Sequence, residues 1–225
     1  MGIQIDCEVV QVTHRDMQFS FAGYTKDHIT EMMKPGRFYE ADLLDAIYQR
    51  YGTGGVYYDF GAFIGTHSVF FEKVCKADLV CAVEGYAQTA FVCKHNLDLN
   101  GCTKTELMQV LVGDIQTRAT WCEPAGNYGS MTVIPSEKIE GSCPVLRSGS
   151  LITAPPKLIK IDVEGATLAA LIGCVDEIKE YKPIVVIEAR FGEEYDEISG
   201  ILFQAGYKLF NTYAATPTHI FEPDS

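Results

Sequence analysis

The sequence predicts an α/β fold, in which a Rossmann-like seven-stranded, mostly parallel sheet carries helices on both faces and ends in a C-terminal antiparallel hairpin. Near-continuous apolar runs alternate with segments of helical spacing, a pattern typical of strands buried on both faces and covered by helices. One apolar run, 56–60, is followed by a glycine-containing turn and then by a helical segment. Two short apolar runs near the end of the chain, 206–210 and 218–221, predict the closing hairpin.

The remaining elements follow from the same spacing rules. The parallel strands are predicted at 56–60, 79–84, 107–112, 158–163 and 183–188. Helices are predicted at 40–51, 66–76, 86–99 and 194–204, with a further one from near Ala166 to just before Pro183. Weak alternation at 3–6, 19–21 and 130–134 predicts additional short strands.

Length and composition indicate one folding unit. With 225 residues, 47% of them hydrophobic, the chain has enough apolar material for one sizeable core. We expect a single domain over 1–225, in which 1–51 form an N-terminal cap and the first helix. Residues 115–150 are rich in Gly, Pro, Ser and Thr, and are predicted to be an insertion or lid within that domain.

The charge balance argues against bulk nucleic acid as a partner. The chain carries 18 basic and 30 acidic residues, a net charge of -12, which repels a phosphate backbone but leaves a nucleotide-sized substrate possible. Neither an apolar run of 18 residues nor a signal-peptide pattern is present, so we expect no membrane contact and a cytoplasmic location. The eight cysteines lack zinc-ligand spacing and are expected to be reduced thiols. The oligomeric state is left open.

A glycine loop (59–65), with the sequence D-F-G-A-F-I-G, follows the first parallel strand. Gly61 allows the backbone to turn tightly and approach a ligand, and Gly65 allows the next helix to start against the sheet. Glu84 ends the next strand, where a carboxylate can accept hydrogen bonds from both ribose hydroxyls of an adenosine. These features predict a nucleoside-bearing cofactor; the alternative is a tight turn beside a solvated acid.

The glycine spacing and Asp59 indicate which cofactor this is. A dinucleotide site has the pattern G-x-G-x-x-G, whereas this loop is D-x-G-x-x-x-G, with an acid that repels pyrophosphate. Asp59 suits the cationic amino-acid end of S-adenosylmethionine, directly or through water. We therefore predict S-adenosylmethionine as cofactor and consider a nicotinamide-dependent oxidoreductase the weaker hypothesis.

Four segments resemble the FkbM family of methyltransferases, in an order that covers about residues 38–210. They read F-Y-E at 38–40, Y-D-F-G-A-F-I-G-T-H-S at 58–68, H-N-L-D-L-N-G at 95–101 and L-I-K-I-D-V-E-G-A at 158–166. The resemblance implies a class I fold and O-methylation. The chain departs from the family at Phe63, where Asn is more usual, at Gly85, where Pro is more usual, and in the insertion, which leaves the acceptor in doubt.

Residues of the loop and of the next two strand ends are the predicted cofactor ligands. Asp114 is included because related folds place an acid or amide against adenine at the third strand end; the alternative is a solvated turn residue. The predicted cofactor-binding residues are Asp59, Gly61, Ala62, Phe63, Gly65, Thr66, His67, Glu84, Gly85 and Asp114.

Asp162 and Glu164 are the predicted catalytic residues, because ligands in such sheets bind beyond the carboxyl ends of the strands. A carboxylate there can accept the acceptor's proton or orient the nucleophile. Alternatively, Glu164 begins a helix whose dipole favours negative charge. Glu188 and Asp162 together are a candidate pair of ligands for a divalent metal ion. Lys160 weakly resembles the lysine of ribose 2′-O-methyltransferases, although a structural ion pair is the simpler interpretation.

The predicted function is S-adenosylmethionine-dependent methylation of an oxygen, less readily a nitrogen, on a small-molecule or glycan acceptor. The alternatives are a catalytically inactive, cofactor-binding partner subunit and a ribose 2′-O-methyltransferase.

Overall fold

The computed structural model describes residues 6–122, 132–135, 143–213 and 216–224, with the side chains of 121–122 and 132–135 left out. The main sheet has seven strands in the order β12-β13-β11-β10-β3-β4-β5. Its strands are β3 (Val56–Phe60), β4 (Leu79–Val83), β5 (Thr105–Met108), β10 (Pro156–Ile161), β11 (Ile184–Glu188), β12 (Tyr207–Tyr213) and β13 (Thr218–Pro223). β5, β4, β3, β10 and β11 run parallel, whereas β13 is antiparallel to both β11 and β12. The predicted seven-stranded sheet and its closing hairpin are confirmed.

Five of the six α-helices lie close to their predicted positions, and the first was not predicted. The six are α1 (His28–Met33), α2 (Ala41–Tyr51), α3 (Thr66–Lys73), α4 (Ala87–Leu99), α5 (Thr167–Tyr181) and α6 (Glu193–Gln204). On one face of the sheet, a core that includes Leu44 and Phe71 joins α2, α3 and α4 to the strands. On the other face, a core that includes Leu171 and Leu202 joins α5 and α6. The sheet is therefore covered on both sides, as its apolar strands require.

The N-terminal region contains a β-hairpin that the sequence did not reveal. β1 (Cys7–His14) pairs antiparallel with β2 (Met17–Tyr24) through a two-residue turn, and both turn residues have positive φ. Such turns are usually signalled by Asn-Gly or Asp-Gly, whereas Arg15-Asp16 occupies this one. The strand predicted at 19–21 lies in β2, most of the segment 3–6 lies outside the described residues, and α1 was not predicted.

Asn96 of α4 and Asn100, which caps the end of that helix, fasten this hairpin to the domain. Asn96 exchanges hydrogen bonds with both the N–H and the carbonyl of Ala22, and Asn100 does the same with Ser20. The two amides are four residues apart on one helix face and so pair with alternate residues of β2, as a neighbouring strand would. Asn96 also donates to the carbonyl of Ile64 in the glycine loop, at 2.8 Å.

The third strand was predicted as one element over 107–112, and this prediction is wrong. β5 ends at Met108, and β6 (Leu111–Gly113) leaves the main sheet to join β7 (Thr117–Cys122), β8 (Thr132–Pro135) and β9 (Cys143–Arg147) in the order β6-β9-β7-β8. The four-stranded sheet lies beside α5, where the Oγ of Ser148 donates to the carbonyl of Ala170 at 2.5 Å. Part of the predicted insertion is therefore a second sheet rather than a loop, and the weak strand predicted at 130–134 overlaps β8.

Two further observations bear on the expectations from composition. None of the helices within the described ranges is long and apolar enough to cross a membrane. Seven cysteines are free thiols, and the side chain of Cys122 lies outside the described part of the chain.

Candidate active site

The candidate site lies at the carboxyl edge of the parallel strands, where the glycine loop and the ends of β4, β10 and β11 meet. The glycine loop is a sharp turn, because Gly61, Phe63 and Gly65 all have positive φ, at 82°, 50° and 85°. The N–H groups of Gly61 and Ala62 both donate to the carbonyl of Val83, at 3.0 and 2.9 Å. The backbone of β4 thus fixes the start of the loop.

Glycine at position 61 meets a second requirement besides the tight turn that was predicted. A Cβ added to Gly61 would lie 1.8 Å from the carbonyl oxygen of Asp162, which is backbone and cannot move aside cheaply. The residue therefore lets the loop approach the end of β10, rather than only a ligand. At Gly65 a Cβ would lie 2.9 Å from the Sγ of Cys93, so this glycine brings the start of α3 against α4.

Glu84 is held at the end of β4 by backbone N–H groups. Its Oε2 accepts from the N–H of Phe63 at 3.0 Å, and its Oε1 accepts from the N–H of Tyr86 at 2.8 Å. Burial raises the pKa of the half-buried carboxyl group to about 7, although these two hydrogen bonds oppose the rise. Each oxygen retains further lone-pair capacity for a ligand hydroxyl.

Lys160 forms the electrostatic centre of the site. The register of the sheet pairs it with Asp59 on β3, and Asp162 lies two residues further on the same face. Its Nζ lies 3.2 Å from Oδ1 of Asp59 and 3.3 Å from Oδ2 of Asp162, and it donates to the carbonyl of Gly61 at 3.1 Å. The buried ammonium therefore has three oxygen atoms within 3.3 Å, of which the Gly61 carbonyl accepts a hydrogen bond. The neighbouring carboxylates raise the pKa of Lys160 against the effect of burial, so it stays charged.

Asp59 and Asp162 differ in exposure although they share this lysine. The Asp59 side chain is completely buried, and its Oδ2 accepts from the Oγ of Ser68 at 2.6 Å. The Asp162 side chain is 26% exposed. In this arrangement Asp162 can contact a substrate, whereas the buried Asp59 contacts Lys160 and Ser68 instead.

Further carboxyl groups surround Asp162. Burial raises the pKa of Glu188 to about 9, and the charges of Asp162, Glu164 and Glu40 raise it as well. The Glu188 carboxyl group therefore holds its proton more tightly than an exposed glutamate does. Burial and the charge of Asp162 also raise the pKa of Glu164, while Arg190 lowers it.

Glu40 and His67 lie on the other side of Asp162. Glu40 precedes α2 in the left-handed conformation, with φ 52°, and its Oε2 lies 3.3 Å from Nε2 of His67. Its Oε1 accepts from the Oγ1 of Thr218 at 3.0 Å. Burial raises the pKa of Glu40 to about 7, whereas burial and Lys160 lower the pKa of His67 to about 3. His67 is consequently a neutral ring.

The amino-acid sequence also matches a known protein family. Residues 28–209 match the methyltransferase FkbM domain. The chain belongs to the FkbM methyltransferase family. It is an S-adenosylmethionine-dependent methyltransferase, which confirms the predicted family, class of enzyme and cofactor.

Solved methyltransferases share the fold of this FkbM chain. An FkbM methyltransferase from Methylobacillus flagellatus KT aligns with a TM-score of 0.57 and 20% identity over 75% of this chain, which spans 43% of that protein's length. M. jannaschii TYW2, solved with S-adenosylmethionine, aligns at 0.51 and 12% identity, covering 99% of this chain and 89% of its own. M. jannaschii tRNA m1G37 methyltransferase aligns at 0.57 and 10% identity, covering 100% and 59%. A sequence comparison with curated proteins finds no match.

The described residues of the FkbM chain fit the nucleoside end of S-adenosylmethionine. Glu84 is a half-buried carboxyl group with two oriented oxygens, which suits the two hydroxyls of a ribose. The glycine loop beside it brings backbone rather than bulky side chains to the strand end. These residues are the ones that would hold the cofactor.

The other predicted cofactor ligands lie in different surroundings. Ala62 and Thr66 are buried in and after the glycine loop, and Gly85 is pressed against Leu111. His67 lies with Glu40 and not at the loop surface. Asp114 is exposed and follows β6 of the small sheet, so its predicted position at the third strand of the main sheet is wrong.

Four residues of the site were not predicted from their chemistry: Tyr39, Glu40, Ser68 and Thr218. Tyr39 and Glu40 were visible only as part of the F-Y-E motif, and Thr218 as part of a strand.

Within the described residues, no group of three or more His, Cys, Asp or Glu side chains is arranged to hold a metal ion. The suggested pairing of Asp162 with Glu188 in a metal site thus has no third ligand among them.

Proposed function

We propose that this FkbM methyltransferase transfers a methyl group to a hydroxyl oxygen of a small-molecule or glycan acceptor, with Asp162 as the residue that orients and deprotonates the hydroxyl. The observation that carries the proposal is the partly exposed Asp162 carboxylate at the end of β10, anchored by the buried Lys160 at 3.3 Å. A carboxylate held in this way can accept a hydrogen bond from a hydroxyl without rearranging.

The neighbouring groups suit this role. S-adenosylmethionine, when bound, supplies an electrophilic methyl group. Lys160 lies 3.3 Å from Oδ2 of Asp162 and holds that carboxylate in place. A strong base is not needed, because a hydroxyl becomes strongly acidic only as its oxygen forms the new bond to carbon. Asp162 then takes the proton, and the acceptor leaves as a methyl ether.

Lys160 argues against the ribose 2′-O-methyltransferase alternative. A lysine that lowers the pKa of an acceptor hydroxyl must direct an N–H group at it, whereas the buried Lys160 ammonium already faces Asp59, Asp162 and the Gly61 carbonyl. The net charge of -12 also opposes an RNA acceptor, even though RNA methyltransferases share the fold. Both observations support a small acceptor.

Asp162→Asn tests the proposal, since it keeps the shape of the side chain and removes its charge. The wild-type protein is incubated with S-adenosylmethionine and a panel of hydroxylated small molecules and sugars, and release of S-adenosylhomocysteine is measured. With an acceptor found in this way, turnover by Asp162→Asn should fall by about 10²-fold to 10⁴-fold, while cofactor affinity changes less. Asp176→Asn is the matched control, because it makes the same change at an exposed residue of α5. It should keep full turnover.

Two results would remove the proposal. Methylation confined to amines, shown by mass spectrometry of the product, would exclude the hydroxyl acceptor. Unchanged turnover in Asp162→Asn would exclude the base.

A further inference from the structure

A cavity of about 340 Å³ opens between α1, the segment 35–43 and the turn that precedes β13. This volume lies at the lower end of the range for small-molecule sites. Most of its wall is apolar, and two carboxyl groups, those of Glu40 and Asp42, lie among the lining side chains. These include Met32, Pro35, Phe38, Leu43, Tyr39 and Glu40.

The cavity adjoins the candidate active site at Glu40. Glu40 lines the cavity, lies 3.3 Å from Nε2 of His67 and accepts from the Oγ1 of Thr218, and Thr218 is the β13 partner of Glu188 in the sheet register. A molecule in the cavity would therefore have one end beside Glu40, which is linked through Thr218 to the strand that carries Glu188.

The charges at the mouth of the cavity largely cancel. Arg37 Nη2 lies 2.7 Å from Oδ1 of Asp42, and both side chains are mainly exposed. Glu40, further in, has a pKa of about 7 and so carries at most part of a charge at neutral pH. His28, Tyr39 and Thr216 also line the cavity, but the larger part of its wall is apolar.

We propose that this cavity binds the methyl acceptor, and that the acceptor is an uncharged small molecule with a largely apolar body and a hydroxyl group. The inference rests on the proposed function and chooses between its two acceptor classes. A sugar of similar size would place several hydroxyls against Met32, Pro35 and Phe38, where each would lose its hydrogen bonds to water without a replacement. An apolar ring or chain would instead fill the walls and direct its hydroxyl at Glu40, where the cavity adjoins the candidate active site.

Two probes of similar size separate these acceptor classes. Binding of 2-naphthol and of methyl β-D-glucopyranoside to the full chain, saturated with S-adenosylhomocysteine to prevent turnover, is measured by ligand-observed NMR. We expect 2-naphthol to bind at least tenfold more tightly than the glucoside. Tighter binding of the glucoside, or no detectable binding of either probe at millimolar concentration, would overturn the inference.

A substitution of Met32, at the edge of the cavity, tests whether the probe binds there. Met32 is 55% exposed, so Met32→Glu adds a charge to the apolar wall with little risk to folding. We expect it to weaken 2-naphthol binding at least fivefold, with Met32→Leu close to wild type and the affinity for S-adenosylmethionine unchanged. Phe91 is 69% exposed and does not line the cavity, so Phe91→Glu is the matched control and should bind 2-naphthol normally. Equal binding by Met32→Glu and wild type would overturn the inference.

The two proposals can fail separately. If 2-naphthol binding depends on Met32 but no hydroxyl compound yields S-adenosylhomocysteine, O-methylation is wrong and the cavity still binds such a ligand. If a hydroxyl acceptor is methylated with the same KM by wild type and Met32→Glu, O-methylation is supported and the cavity is not the acceptor site.

Discussion

The two halves of the candidate site are built by different means. The cofactor half, which consists of the glycine loop and Glu84, is held by backbone hydrogen bonds between segments that are neighbours in the sheet. The acceptor half, which consists of Glu40, His67, Asp162 and Glu188, is held by side-chain contacts among segments far apart in sequence. The first half is thus a property of the local chain, and the second depends on the charges that the fold brings together.

Lys160 links the two halves, and its removal should have the largest effect. Lys160→Met leaves Asp59 buried without its cation, and breaking a buried ion pair on one side costs about 3 to 5 kcal/mol. Urea denaturation of the cofactor-free protein would measure this loss. Lys208 pairs with Asp224 on the surface, so Lys208→Met should cost less than about 1 kcal/mol. Equal losses in the two variants would show that the buried network does not stabilise the fold.

Glu84 tests the cofactor half alone. Glu84→Ala should weaken binding of S-adenosylmethionine tenfold or more, on the order of 1.5 to 3 kcal/mol for a hydrogen bond to a charged group. Calorimetry measures the affinity, and a thermal melt checks that the variant is folded. Glu106 is exposed on the neighbouring strand β5, and Glu106→Ala should bind the cofactor normally. An unchanged affinity in Glu84→Ala would remove this residue from the cofactor site.

The acceptor half should make stability depend on pH. The folded-state pKa of Glu188, about 9, lies above its unfolded value, so its stabilising contribution is present at low pH and is lost as pH rises towards 9. His67 has the opposite sign, because its folded-state pKa of about 3 makes the fold less stable as pH falls below about 6.5. Glu40 and Glu84, whose pKa values burial raises to about 7, have the same sign as Glu188. Stability should therefore be greatest near pH 5.

Thermal melts from pH 4 to pH 9 would measure this profile. We expect the Tm to fall by about 2 to 4 °C above pH 5, the shift that about 1 kcal/mol produces in a chain of this size. Glu188→Gln imitates the protonated group and should flatten the alkaline side while leaving the acid side unchanged. An equal alkaline slope in Glu188→Gln would assign the loss to other groups.

Substitutions of Phe63 in the glycine loop have the smallest expected effect on stability. Its φ of 50° is left-handed, a conformation that Asn tolerates better than other non-glycine residues. Phe63→Asn and Phe63→Ala both lose the contact with Tyr24, but Asn should be more stable by about 0.5 to 1 kcal/mol. Chemical denaturation of the two variants gives the difference. If Ala were the more stable, backbone conformation would not explain the preference for Asn at this position.

The sequence was sufficient for much of the fold, because the apolar strands, the helical spacing and the glycine loop are local patterns. The parallel strands other than the third, and the five predicted helices, lie within a few residues of their predicted ends. The split of the third strand was not predicted, since β5 and β6 form one apolar run and only their different sheet partners separate them. The β1–β2 hairpin was missed because its turn carries no glycine.

The same division applies to the site. The identities of Asp59, Glu84 and Asp162 as strand-end acids follow from the sequence, because the carboxyl ends of parallel strands meet at one edge. Which of them meets solvent is decided by the tertiary structure, where Lys160 and Ser68 enclose Asp59 and leave Asp162 partly exposed. The protonation of the acceptor half is likewise a tertiary property. A carboxyl group's pKa depends on its burial and on nearby charges, and for Glu40 and Glu188 both are set by residues far away in the chain.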